Sequence, residues 1–314
     1  MKQSGIGESH AKLIFIGEHS VVYGEPAIAL PLPTIKTRVE INRQRGEATI
    51  ESRYYTGPLA ELPAAMGGIR QLITTLQKRF ADDGHWALTI TSQIPAERGM
   101  GSSAATAIAI VRAFFDLYAA PLDRQTLLTL ADVEEQVTHR SPSGLDAATA
   151  SANTPLYYVR GQAGTPLSLD LDAVLVIGDS GVKGATKEAI AAVKEELVTH
   201  PAAAKEAISD LGNLTRQTRH FFATNQPKAL GEVLDKAQIN LATLQVSSPT
   251  LDRLITSAKT AGALGAKLTG GGRGGCFFAL AKNLDQAHRL ARAIEAAGAT
   301  QTWIQPLSAK GGRN

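Results

Sequence analysis

The chain has 314 residues, 44% of them hydrophobic and 19% charged, which is enough for two domains with buried cores. Its net charge of +3 is evenly spread and aromatic residues are few, so the composition argues against a nucleic-acid partner. No apolar run approaches the roughly 20 residues of a membrane-spanning helix, and the start lacks a signal-peptide pattern. We therefore expect a cytoplasmic protein without a membrane partner. The single cysteine, Cys276, fits a reducing compartment and a buried, unreactive position.

The first half of the chain is predicted to open with β-structure and to continue with helices. Strand-like runs occupy residues 11–16, 26–30, 37–42, 47–55 and 87–94. Apolar residues at helical spacing predict helices at 69–80, 103–118 and 127–139. The helix at 103–118 is apolar nearly all round, so we expect it to be buried.

The second half changes character after two further strand-like runs at 153–158 and 173–177. Residues 183–261 are almost entirely helical in pattern, with interruptions near Pro201, Pro227 and Pro249. The remainder is predicted, in order, as a strand at 266–268, a glycine cluster, a strand at 276–281, a helix at 284–297 and a strand at 300–304. Together these elements predict an α+β fold of two domains, residues 1–170 and 171–314.

The most informative segment is IPAERGMGSSAA at residues 94–105, between a predicted strand and a predicted helix. Glycines allow a close approach of the backbone, and a helix N-terminus favours anions, most often phosphate. The hydroxyls of Ser102 and Ser103 are suited either to capping the helix or to ligating Mg²⁺. The segment is neither a Walker A loop nor a dinucleotide fingerprint. An ordinary helix cap is the alternative to a nucleotide-phosphate site.

Residues 10–24 place polar side chains in an apolar setting. Lys12 lies within a strand-like run, where a buried lysine is costly unless it is paired. Glu18 and His19 follow directly at a predicted turn. For Lys12, the alternative is a residue at the edge of the strand whose ammonium group reaches solvent. For Glu18 and His19, the alternative is an ordinary solvated turn.

In residues 134–146, Glu135 and Asp146 lie on either side of a proline- and glycine-containing turn. Glu135 lies near the end of a predicted helix, and Asp146 follows the turn, so both can converge on one metal-phosphate site. The alternatives are a surface charge for Glu135 and a helix N-cap for Asp146.

Near the C-terminus, residues 270–275 contain five glycines, more than a hairpin needs. We expect this backbone to approach either a ligand or the first glycine-rich loop closely.

Taken together, these segments supply the few parts that phosphoryl transfer requires. The glycine-rich loop at 99–103 provides a phosphate cradle, and Ser102 or Ser103 with Glu135 provides hard oxygen ligands for Mg²⁺. Lys12 supplies a cation, and Asp146 supplies a base for the acceptor hydroxyl.

The motifs and their order resemble the superfamily of galactokinase, homoserine kinase, mevalonate kinase and phosphomevalonate kinase, the GHMP kinases. The resemblance rests on KLIFIGEHSVVYG at 12–24, PAERGMGSSAA at 95–105, PSGLD at 142–146 and KLTGGGRGGC at 267–276. The GEHSVVYG segment is most similar to the mevalonate kinases. The chain is shorter than the animal members, which resembles a bacterial or archaeal type, and we expect the bacterial type. Glu97 and Arg98 depart from the family pattern, because many members have small residues there.

The resemblance implies a two-domain fold, with an N-terminal domain similar to ribosomal protein S5 domain 2 and a ferredoxin-like C-terminal domain. It implies ATP and Mg²⁺, with mevalonate phosphorylated on its C5 hydroxyl, and a homodimer. Asp146 would be the base, Lys12 the cation beside it, and Glu135 and one of the two serines the Mg²⁺ ligands. The implied nucleotide-binding residues are Pro95, Glu97, Arg98, Gly99, Met100, Gly101, Ser102, Ser103 and Ala104. The implied substrate contacts are Glu18, His19, Gly144, Asp146, Gly271 and Gly272.

Other functions stay open on the sequence alone. A related kinase acting on phosphomevalonate, homoserine or a sugar is one, and a phosphorylated acceptor would call on Arg140, Lys183 and Lys187. A non-catalytic nucleic-acid binder with an S5-like fold is a second, which the low aromatic content and weak charge disfavour.

Overall fold

The computed structural model describes residues 2–138 and 144–308 and divides the chain into two compact units. The first unit comprises Met1–Lys12, Pro31–Ala96 and Gly101–Asn153. The second comprises Leu13–Leu30, Glu97–Met100 and Thr154–Asn314. Both contain antiparallel strands and helices, so the predicted α+β class is confirmed. Within the described ranges no helix combines the length and apolar character needed to cross a membrane.

The sheet of the first unit is built on two long strands, β1 (Ser4–Ile16) and β2 (Ala27–Arg43), which pair with each other. β2 pairs antiparallel with β5 (Trp86–Ser92), which runs parallel to β3 (Thr49–Glu51), and β3 pairs antiparallel with β4 (Thr56–Pro58). The runs predicted at 26–30 and 37–42 are therefore one strand. The run at 47–55 is broken instead, because Ser52 Oγ accepts hydrogen bonds from the backbone N–H groups of Tyr54 and Tyr55.

Four helices complete the first unit: α1 (Gly67–Phe80), α2 (Ser102–Leu117), α3 (Arg124–Thr138) and α4 (Leu145–Ala150). Two short 3₁₀ turns, Leu59–Glu61 and Ala64–Met66, precede α1. Twelve of the 16 residues of α2 are buried, which confirms the predicted buried helix. Its apolar face shares a core with Leu72, Leu76, Trp86 and Leu88. Position 139, the last of the predicted third helix, lies outside the described residues.

The second unit contains a four-stranded antiparallel sheet in the order β11-β8-β10-β9. These strands are β8 (Val174–Asp179), β9 (Gly265–Leu268), β10 (Cys276–Ala281) and β11 (Gln301–Pro306). The first residues of β2 pair with β6 (Leu156–Tyr158), which pairs with β7 (Thr165–Pro166). The buried thiol of Cys276 lies in β10, as expected, and burial raises its pKa well above the ordinary value.

The helices of the second unit are α5 (Thr186–Thr199), α6 (Pro201–Ala223), α7 (Pro227–Thr243), α8 (Pro249–Thr260) and α9 (Leu284–Ala296), with a 3₁₀ turn at Ser20–Tyr23. Each of the three prolines expected to interrupt the helical region is the first residue of a helix. Proline is favoured there because it has no N–H, and an N–H in the first turn would have no helical partner in any case.

Candidate active site

In the first unit, Lys12 and Asp146 form an ion pair in which Nζ lies 2.7 Å from Oδ1. Lys12 comes from β1 and its side chain is 5% exposed, whereas Asp146 lies in the first turn of α4 and its side chain is 38% exposed. The interpretation of Lys12 as a strand-edge residue reaching solvent is therefore wrong. Asp146 is not an N-cap either, because Gly144 holds that position. A carboxylate held by a buried lysine, with part of its surface accessible, is suited to accept a proton from a hydroxyl.

Gly101 packs directly against the stem of Lys12. A Cβ placed on Gly101 would lie 2.8 Å from Lys12 Cγ, and its φ of +72° belongs to the left-handed region that glycine adopts without strain. Gly101 is also the N-cap of α2, so neither serine caps this helix. The alternative interpretation of the Ser-Ser pair as an ordinary cap is wrong.

One of the two serines, Ser103, contacts a carboxylate that the motifs did not single out. The Ser103 hydroxyl donates a hydrogen bond to Glu134 Oε1, and Glu134 is buried on α3. Glu135, the predicted metal ligand, is the next residue and is half-buried. Among the residues described, no group of three His, Cys, Asp or Glu side chains is placed to hold a metal. Hydroxyl and carboxylate oxygens in contact nevertheless fit Mg²⁺, which usually takes one or two carboxylates and completes its shell with water and phosphate.

The second unit holds the other predicted segments. Glu18 and Lys267 form a buried ion pair with Nζ 2.5 Å from Oε1, their side chains 1% and 0% exposed. The Lys267 ammonium also donates to the carbonyl of Leu268 at 2.6 Å and lies 5.3 Å from the ring centre of Phe278. Burial lowers the pKa of Lys267, and the Glu18 carboxylate opposes that shift. Glu18, expected to contact substrate, is thus engaged by a protein cation.

His19 is fixed in one tautomer by its hydrogen bond. Its Nε2 lies 3.0 Å from the carbonyl oxygen of Gly271, and a carbonyl only accepts, so Nε2 carries the proton. Burial lowers the pKa of His19 despite this bond, and the Lys267 charge lowers it further. The neutral ring therefore presents Nδ1 as a hydrogen-bond acceptor. The backbone of His19 has a φ of +60°, an uncommon conformation for a non-glycine residue.

The glycine cluster at 270–275 is held tightly within the second unit. Gly270 approaches Gly99, the first of the loop glycines, and a Cβ on Gly270 would lie 3.3 Å from the Cα of Gly99. A Cβ on Gly272 would lie 2.1 Å from the carbonyl oxygen of Val246. The backbone thus makes the close approach to the first glycine-rich loop that the sequence predicts.

The loop at 97–100 also belongs to the second unit, whereas Pro95 and the segment Gly101–Asn153 belong to the first. Glu97 is exposed and pairs with Lys183, with 2.5 Å between Oε2 and Nζ. Arg98 pairs with Asp179. Of the residues considered for a phosphorylated acceptor, Lys183 is thereby paired, Lys187 is exposed near the start of α5, and position 140 lies outside the described part of the chain.

Sequence reasoning missed three charged residues that shape these groups: Lys267, Glu134 and Asp179. Glu134 was detectable, because it continues the buried stripe Leu127, Leu130 and Ala131 of α3 at helical spacing. A charged residue in such a stripe requires a partner. Nothing in the local pattern at Asp179 indicates that it receives an arginine from position 98.

Comparisons with known proteins bear on what these groups do. Family models for the N-terminal and C-terminal domains of GHMP kinases match residues 68–153 and 218–300. A mevalonate kinase of Thermococcus sibiricus is 30% identical over 315 residues, which cover 93% of this chain and 93% of the relative. The crystal structure of a mevalonate kinase from methicillin-resistant Staphylococcus aureus has 31% identity and a TM-score of 0.79, covering 98% of this chain and 100% of that one. The L. major mevalonate kinase, solved in complex with R-mevalonate, has 25% identity and a TM-score of 0.85, covering 98% and 99%.

Proposed function

Because the chain belongs to the mevalonate kinase family of GHMP kinases, we propose that it transfers the γ-phosphoryl group of ATP to the C5 hydroxyl of mevalonate, giving 5-phosphomevalonate and ADP. The observation that carries this proposal is the Lys12–Asp146 ion pair, which provides a base and a cation in direct contact. The similarity to a structure in complex with R-mevalonate, over 98% of this chain, supports mevalonate as the acceptor.

In this mechanism Asp146 accepts the proton of the C5 hydroxyl as that oxygen attacks the γ-phosphorus. Lys12 orients the carboxylate through the ion pair, and its charge opposes the negative charge that develops on the transferred group. Gly101 allows Lys12 to lie in this position, because any side chain there would meet the lysine stem. Phosphoryl transfer proceeds through a loose transition state, so positioning contributes as much as proton abstraction.

ATP is the phosphoryl donor expected of this family, and the loop from Pro95 to Ala104 is proposed to hold its phosphates. The donor set around Ser103 supports Mg²⁺ as the accompanying ion, held by one of the two serines and by Glu135, with Glu134 orienting Ser103. A Mg²⁺ ion held by these residues would offset the negative charge of the phosphates.

On the acceptor side, Glu18, His19, Gly144, Gly271 and Gly272 are proposed to surround mevalonate. The Nδ1 atom of His19 is suited to accept a hydrogen bond from a substrate hydroxyl. Glu18 is proposed to act mainly by fixing the turn that carries His19, since its carboxylate is paired with Lys267. We further propose that the protein is a cytoplasmic homodimer with no nucleic-acid or membrane partner. The mass measured by light scattering after size-exclusion chromatography tests whether it is a dimer.

The experiment that tests the proposal measures ADP release from ATP and Mg²⁺ with mevalonate, phosphomevalonate, homoserine or galactose as acceptor. Turnover with mevalonate alone supports the assignment. Turnover with phosphomevalonate instead would favour the second candidate, a kinase for a phosphorylated acceptor, and would direct attention to Lys183 and Lys187. If no ADP is released with any of the four acceptors, both candidate functions are contradicted.

A further inference from the structure

Arg98 makes an unusually complete set of contacts for a residue in a phosphate-binding loop. Its Nε lies 2.9 Å from Oδ1 and 3.2 Å from Oδ2 of Asp179, and its terminal NH2 nitrogen donates to the carbonyl of Gly181 at 3.2 Å. The side chains of Arg98 and Asp179 are 17% and 7% exposed. Asp179 is the last residue of β8, so the arginine connects the loop to the end of a central sheet strand.

The backbone beside Arg98 is anchored to the same region of the second unit. The carbonyl of Arg98 accepts from the N–H of Cys276 at 3.2 Å, and the carbonyl of Glu97 accepts from the N–H of Gly184 at 3.1 Å. Glu97 has a φ of +59°, which is unfavourable for a residue with a Cβ. Such a conformation persists only where surrounding contacts over-determine it, and these contacts do so.

The turn that receives Arg98 is itself tied to the glycine cluster. The N–H of Ser180 donates to the carbonyl of Gly275 at 3.0 Å, and the N–H of Gly275 donates to the carbonyl of Val182 at 2.7 Å. Asp179 Oδ1 also accepts from the N–H of Gly181 at 2.9 Å. One carboxylate therefore organises both the turn after β8 and the arginine of the loop, and both are placed against the glycine cluster.

We propose that Arg98 is a positioning residue for nucleotide binding: by pairing with Asp179 it fixes the backbone of residues 97–100 in the conformation that receives the phosphates, without contacting the nucleotide itself. The proposal rests on the proposed function, because it presumes that this loop binds ATP. It departs from the expectation, implied by the resemblance, that Arg98 binds the nucleotide directly.

The two roles predict opposite effects of changing Asp179. If Arg98 contacts phosphate, then Asp179→Asn frees the guanidinium and leaves affinity unchanged or improves it. If Arg98 positions the loop, the same change releases the anchor and weakens binding. Arg98→Lys separates the roles again. Lysine retains the charge that attracts phosphate but cannot reproduce the planar fork that reaches both Asp179 and Gly181.

The test is calorimetric titration of the full chain with ADP and Mg²⁺ in the absence of mevalonate. Because hydrogen bonds between charged groups are stronger than those between neutral ones, we expect Asp179→Asn, Arg98→Met and Arg98→Lys each to raise the Kd for ADP by about ten-fold or more. The Asp179→Asn/Arg98→Met double variant should be no weaker than the worse single variant. In steady-state assays the KM for ATP should rise by about the same factor as the Kd for ADP, and by more than kcat falls.

Thermal unfolding and a matched arginine variant control for general loss of structure. Arg38→Met removes an exposed arginine that pairs with Glu8 and Glu40 in the first unit, and should leave the Kd unchanged. An Arg98→Lys or Asp179→Asn variant whose Kd for ADP is within two-fold of the wild-type value would overturn the proposal. If Asp179→Asn does not fold, the Kd of Arg98→Lys alone tests the proposal. A wild-type chain that does not bind ADP would instead overturn the proposed function.

Discussion

Replacing Lys267 by methionine should destabilise the protein strongly, because it removes the cation that forms an ion pair with the buried Glu18 carboxylate. The two side chains are 0% and 1% exposed and their charged atoms lie 2.5 Å apart, so solvent does not screen either charge. Methionine keeps most of the lysine stem, and the loss is therefore mainly electrostatic. Breaking one partner of such a buried pair costs about 3–5 kcal/mol. That is a large part of the roughly 5–15 kcal/mol by which a folded domain is stable.

The assay is equilibrium unfolding in urea, followed by circular dichroism, for wild type, Lys267→Met and the double variant Glu18→Gln/Lys267→Met. We expect the double variant to recover part of the lost stability, because it also removes the buried negative charge of Glu18. Arg38→Met, which breaks an exposed pair, should unfold like wild type. A Lys267→Met variant within about 1 kcal/mol of wild type would refute the reasoning, as would a double variant less stable than Lys267→Met.

Three further changes have defined outcomes. Gly101→Ala should cost about 1–3 kcal/mol of stability and lower kcat, because the new Cβ meets Lys12 and a left-handed φ is imposed on alanine; unchanged melting and turnover would argue against both effects. Although burial acts to raise the pKa of Asp82, the hydrogen bond from Tyr118 helps to hold it below its ordinary value. The stability it confers is full above about pH 4 and is lost as the pH falls through the lower pKa of the folded state. Asp82→Asn should therefore be less stable than wild type at pH 7, with the gap closing in acid, and a constant gap in urea unfolding at both pH values would contradict this. Glu135→Gln should raise the Mg²⁺ concentration that gives half-maximal activity. If that concentration is unchanged, the assignment of Glu135 as a Mg²⁺ ligand is wrong.

The order and type of most elements could be predicted because their patterns are local. Prolines at positions 201, 227 and 249 correctly marked successive helices, since proline is tolerated only in a first turn. The buried character of α2 followed from its composition. The predicted superfamily and its two-domain fold are confirmed by the matched family models and structures. The break between β3 and β4 was missed because a serine hydroxyl, rather than a glycine or proline, forms the turn.

Long-range pairing was only partly predictable. The Lys12–Asp146 contact was anticipated, because a lysine in an apolar strand needs a partner and the resemblance indicated which one. Glu18 was expected to be available to substrate, yet it is paired with Lys267, which lies 249 positions away in the chain. No local pattern encodes a pairing at that separation, because it depends on how two distant segments pack. The roles of these residues in catalysis stay predictions.

The central claim is that Asp146 serves as the base in phosphoryl transfer to mevalonate. It is tested most directly by phosphorus NMR of the products formed from ATP, Mg²⁺ and mevalonate by wild type and by Asp146→Asn, alongside the Kd of each for ADP. We predict that wild type forms 5-phosphomevalonate and that the variant forms it about 10²–10⁴-fold more slowly with an unchanged Kd. A variant as fast as wild type, or a wild type that phosphorylates another acceptor and not mevalonate, would contradict the account.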